Sequence, residues 1–103
     1  MVNDAAGGRN LVLNGAVSIG AGAEVGTPLA ADTFGLEGTG DLTYQWQRGD
    51  TEDGPFANIT GANGASYTPV AADAGKYIRV VVSRAGYIGT KTSAAAGPVA
   101  AIQ

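Results

Sequence analysis

Apolar and polar positions alternate most clearly over Leu42-Thr43-Tyr44-Gln45-Trp46-Gln47-Arg48. Period-two alternation is the mark of a half-buried strand, with Leu42, Tyr44 and Trp46 facing inward. A second run, Lys76 to Arg84, is the longest β-branched stretch and puts Ile78, Val80 and Val82 on one face. Its other face carries Tyr77, Arg79 and Ser83, and an inward Arg79 would bury an unpaired charge, so Arg79 is placed outside. Shorter strands are predicted at Val17–Ile19, within Val25–Thr33 with Leu29 and Ala31 inward, at Phe56–Ile59 and at Ala65–Thr68. A last strand is predicted over Tyr87–Ala101, where Gly97-Pro98 points to an edge or a bulge because Pro cannot donate to a ladder.

Turn chemistry separates these runs. Gly20-Ala21-Gly22, Leu36 to Asp41, Asp53-Gly54 and Ala85-Gly86 all read as turns. Asn63-Gly64 is a hairpin signal. Val70 to Gly75 predicts a brief helical corner. No helical period persists over ten residues, and about seven short strands are best accommodated by a two-sheet sandwich.

Composition narrows the picture. The chain has 103 residues, of which 17 are Gly and 45% are apolar, enough for one packed domain. Residues 1–14 read as a flexible leader or cloning remnant, and 15–103 as the module. Large side chains are few, so Trp46, Tyr44, Phe34, Phe56 and Tyr67 are expected to fill the core. Burying a Trp removes ~200 Å² from water, roughly 5 kcal/mol before entropy. Trp46, the single Trp, is therefore the expected core anchor.

Net charge is −3, and the six basic residues are scattered, so no nucleic-acid footprint is present. No run is long enough for a membrane span. With no Cys and no His, disulfides, Cys or His metal ligands and Ser-His or Cys-His catalysis are excluded.

The ordered set Gly26-x-x-Leu29, Tyr44-Gln45-Trp46-Gln47-Arg48, Ser66-Tyr67-Thr68-Pro69, Ala72-Asp73-Ala74-Gly75-Lys76-Tyr77-Ile78-Arg79-Val80-Val81-Val82 and Gly86-Tyr87-Ile88-Gly89 resembles bacterial Ig-like domains. The resemblance covers roughly residues 15 to 100. It implies an all-β, immunoglobulin-like Greek-key sandwich without a disulfide. It also implies a tandem module of secreted or cell-wall proteins, acting as a spacer beside adhesive or polysaccharide-degrading domains. Neighbouring domains of the parent chain are the expected partners. In antibody-type domains a Tyr after Asp-x-Gly-x points inward. Tyr77 holds that place here, but its strand parity turns it outward.

Candidate chemistry is sparse. Tyr77, Tyr87 and Arg84 offer an aromatic-basic surface for a polysaccharide, against the plainer reading of aromatics packed over strand and turn. Arg48-Gly49-Asp50 spells an adhesion tripeptide for a host protein, although a strand end followed by a turn explains it equally. Asp50, Glu52 and Asp53 supply oxygens of the kind Ca²⁺ takes, without the EF-hand spacing. The alternative is a solvated acidic loop. Asn58-Ile59-Thr60 matches a glycosylation sequon that is idle in a bacterial source. No cofactor and no catalytic residue is expected, since Glu52 and Asp53 are adjacent in one loop rather than set across a cleft.

Overall fold

The computed structural model describes residues 12–20, 23–38 and 40–101. Seven strands occur among the described residues: β1 Ser18–Ile19, β2 Leu29–Asp32, β3 Leu42–Gly49, β4 Phe56–Asn58, β5 Ser66–Tyr67, β6 Tyr77–Arg84 and β7 Lys91–Thr92. They form two antiparallel sheets, ordered β1-β2-β5 and β4-β3-β6-β7. A single 3-10 turn, Ala71–Asp73, occupies the expected corner, and no α-helix occurs among the described residues.

The spine is the β3–β6 ladder, running from Leu42 opposite Arg84 to Gly49 opposite Tyr77. Both strands alternate as the sequence dictates, so Trp46 lies opposite Val80, and Ile78, Val80 and Val82 are buried. Leu29, Ile19, Ala31 and Tyr67 of the other sheet close the core from its far side. Trp46 is completely buried, and its ring stacks on Tyr67 with centroids 5.9 Å apart, joining the two sheets. The indole Nε1–H donates to the Gly64 carbonyl at 2.8 Å, so burial leaves no orphan donor. Arg79 lies on the outer face opposite Gln47, as its parity requires.

Several expectations are corrected. Phe34 is fully exposed rather than a core residue. It sits in the turn after β2, where the Asp32 carboxylate accepts its backbone N–H at 3.1 Å and the turn leaves the ring outside. Phe56 is half-buried on the outer face, beneath the Arg79 guanidinium at 4.0 Å. Asn63-Gly64 makes no hairpin, because β4 pairs with β3 while β5 pairs with β2. The Asn63 amide instead donates to the Tyr44 carbonyl and to Gln45 Oε1.

The last strand is shorter than expected. Only Lys91–Thr92 forms a ladder, at the sheet edge, and single bridges continue it at Ala96, before Gly97-Pro98, and at Val99 and Ala100, after it. The core also takes in a residue ahead of Gly15. Leu13 is buried in the core and its N–H donates to the Ile88 carbonyl at 2.9 Å. Residues 1–11 of the expected leader lie outside the described residues.

Candidate functional site

Arg48 shares the inward parity of Trp46 and stands opposite Ile78 at the end of the ladder. Its Nη1 donates to Asp73 Oδ1 at 2.6 Å. Asp73 is completely buried, whereas the Arg48 side chain is 38% exposed. The second oxygen, Oδ2, accepts the Tyr67 hydroxyl proton and the Val70 N–H, the latter at 2.9 Å. Three donors on three segments thus converge on one carboxylate.

Burial by itself would favour the neutral acid. The hydrogen bonds from Tyr67, Val70 and Arg48, with the Arg48 charge, outweigh it and hold Asp73 below the usual carboxylate range. The Arg48 guanidinium is correspondingly raised, chiefly by its hydrogen bond to Asp73. Burial and the hydrogen bond to Asp73 push the Tyr67 phenol up to about 12. With three donors on a completely buried carboxylate, neither oxygen of Asp73 is exposed to solvent. The network ties the corner before β6 to β3 and β5.

The Arg48-Gly49-Asp50 tripeptide is divided by this arrangement. Arg48 turns inward to Asp73, while Asp50 stands outside and accepts from Lys76 Nζ at 2.6 Å. The Lys76 hydrogen bond and charge lower the Asp50 carboxyl. Glu52 and Asp53 are exposed in the same loop, and no group of three or more His, Cys, Asp or Glu able to hold a metal ion occurs among the described residues.

Tyr77, Arg84 and Tyr87 do not meet as one surface. Tyr77 begins β6 and Arg84 ends it, about 23 Å apart at the rise of an extended strand. Tyr77 lies against Gly97, where an added Cβ would sit 2.9 Å from the ring Cδ2. Tyr87 covers Gly38, where a Cβ would sit 2.1 Å from its hydroxyl, and it packs on the core. Arg84 Nη1 donates to the Gly40 carbonyl at 2.8 Å and fastens the turn before β3. Asn58 is exposed, and its Oδ1 accepts from Gln47 Nε2 at 2.8 Å.

Two features escaped the sequence reading. One is the Asp73 network, although its signal was present: an inward Arg48 at a strand end demands a buried acid. The other is the outer row Asn58, Gln47 and Arg79, in which Arg79 Nε donates to Gln47 Oε1 at 2.7 Å while its guanidinium covers Phe56. Two shallow hollows, one along Ala30–Phe34 and one between Val17–Gly20 and Ala94–Gly97, are lined mainly by small residues and hold no convergent set of charged groups.

The remaining geometry concerns the poles. Val12 bridges to Ile88 beside the end of β6, while Val99 and Ala100 bridge to Ala74 and Glu24 beside its start. The chain therefore enters at one pole, here the leading pole, and leaves at the opposite, trailing pole. No helix among the described residues is long and apolar enough to cross a membrane.

A family model described as "Domain of unknown function (DUF8696)" matches residues 13–99, and the chain belongs to that family. No curated protein matches the chain.

Proposed function

We propose that this chain is a non-catalytic structural module, an immunoglobulin-like sandwich that spaces neighbouring domains in a larger exported or cell-surface bacterial protein. The observation that carries this reading is the position of Val12 and Ala100 at opposite poles of the ladder. Modules joined at opposite poles string end to end, and each adds its own length to a stalk. The Greek-key reading is supported by the sheet orders β1-β2-β5 and β4-β3-β6-β7, in which the chain passes between sheets after β2, after β4 and after β5. Burial of the Asp73 carboxylate under three donors, and the placing of Tyr77 at the far end of β6 from Arg84 and Tyr87, favour a structural over a catalytic or sugar-binding role.

Small-angle scattering on one, two and three fused copies tests this. The maximum dimension should increase by a constant step per copy. A dimension that levels off with copy number would overturn the spacer reading. So would retardation in a polysaccharide affinity gel that is lost on Tyr77→Ala.

A further inference from the structure

The outer face of the four-stranded sheet carries a polar row set across three strands. Asn58, Gln47 and Arg79 stand side by side on β4, β3 and β6. Arg79 Nε donates to Gln47 Oε1 at 2.7 Å, and Gln47 Nε2 donates to Asn58 Oδ1 at 2.8 Å. Both amide oxygens of the row are thereby engaged. The side-chain groups left over are donors, the Arg79 Nη groups and the Asn58 amide nitrogen. The Arg79 guanidinium also lies 4.0 Å over the Phe56 ring, so stacking and the Nε bond together fix its plane. A fork already held in place loses little freedom on taking a carboxylate. No acid pairs with Arg79 among the described residues, where the ion pairs are Arg48–Asp73 and Lys76–Asp50.

Matching acids lie in the same chain but out of reach. The loop between β3 and β4 carries exposed Glu52 and Asp53 at its apex. The loop is closed below them, where Gly54 N–H donates to the Thr51 carbonyl at 3.0 Å and Thr51 Oγ1 donates to the Gly54 carbonyl at 2.8 Å. Neither acid pairs with a cation among the described residues. At the rise of a strand, the row stands about 7 Å before Gly49 and the apex about 10 Å beyond it. Arg79 and the apex are thus roughly 17 Å apart along the face, too far for one copy to close the pair. Between them the Phe56 ring lies over Gly49, where an added Cβ would sit 3.0 Å from the ring Cδ2, and Tyr77 flanks Gly49 on β6.

We propose that this face pairs with the same face of a second copy about a two-fold axis, the loop apex of each copy resting on the Arg79 row of the other. A patch is self-complementary when its two matching halves lie at similar distances on either side of the axis. Cation row and acidic apex meet that condition about a point close to Gly49. Each pairing is made twice, Arg79 of one copy with Glu52 and Asp53 of the other. Phe56 and Tyr77 lie at the centre, and aromatic and Arg side chains are the types enriched at interfaces. The patch spans only three strands, which places the pair among weak complexes.

Sedimentation velocity on the full chain, from about 10 μM to about 1 mM, covers the range in which weak pairs assemble. A salt concentration of ~0.15 M screens general attraction between unlike net charges. A monomer–dimer equilibrium is expected. Arg79→Glu should raise the dissociation constant at least about tenfold, because it sets like charges against each other, and so should Glu52→Lys combined with Asp53→Lys. Mixing the two variants in equal amounts should restore a dimer, since each supplies the charge the other lacks at both contacts. A parent chain that stays monomeric throughout would overturn the pairing. So would a dimer that neither variant weakens, or a mixture that stays monomeric. If Arg79→Glu fails to fold, shown by loss of the native Trp46 fluorescence, the loop variant decides by the same tenfold criterion, since Glu52 and Asp53 are exposed. The outcome is separable from the spacer reading, because fused copies bearing the loop variant elongate, or fail to, without the lateral contact.

Discussion

Arg48 Nη1 and Asp73 Oδ1 meet at 2.6 Å across 25 positions of sequence, one at the end of β3 and the other in the corner before β6. This contact brings the corner under the end of the central ladder. Removing one partner strands the other. Loss of a partner from a fully buried pair costs about 3–5 kcal/mol. Because the Arg48 side chain is 38% exposed, Arg48→Met should cost less, about 2–3 kcal/mol, by chemical denaturation. A double-mutant cycle with Asp73→Asn should give a clear coupling energy; simple additivity would contradict the pairing.

Tyr67 yields a pH prediction on the alkaline side. A phenol whose folded pKa is raised from 10.0 to about 12 binds its proton more tightly in the folded state. Stability should therefore fall as pH rises from about 10 toward about 12, where the unfolded chain ionises first. In an absorbance titration Tyr67 should give an ionisation step near pH 12, and Tyr67→Phe should abolish that step.

Asp73 acts on the acid side with the opposite sign. Its folded pKa lies below the ordinary value of 3.8, so its contribution is present above that value and is lost as pH falls through the lower folded value. Asp73→Asn should flatten the acid limb of a stability-against-pH curve.

Trp46→Phe should cost about 2–3 kcal/mol, since it loses buried volume and leaves the Gly64 carbonyl without its indole donor. Phe34→Ser, at a fully exposed position, should stay within about 0.5 kcal/mol of the parent in the same denaturation experiment.

Gly38 should resist substitution. Its φ of +95° lies where L side chains are strained, and a Cβ would meet the Tyr87 hydroxyl. Gly38→Ala should cost about 1–3 kcal/mol, read as a lower melting temperature. Combining it with Tyr87→Ala should recover the part due to the clash and leave the part due to φ.

What the sequence alone determined here is local. The alternation through Leu42–Arg48 and Lys76–Arg84 predicts two strands and their inward faces, because side chains of an extended chain point to opposite sides in turn. The same rule puts Arg79 outside, and the turn residues of Val70–Gly75 predict the corner. Trp46 was legible as the core anchor for the same reason. Tertiary structure decided whatever depends on register between distant segments. It exposed Phe34, sent β4 and β5 to different sheets around Asn63-Gly64, and placed Asp73 against Arg48. It also brought Val12 beside Ile88 and Glu24 beside Ala100. A period of two says which face a residue takes, but not which strand will lie beside it, since pairing is chosen by the packing of the whole core.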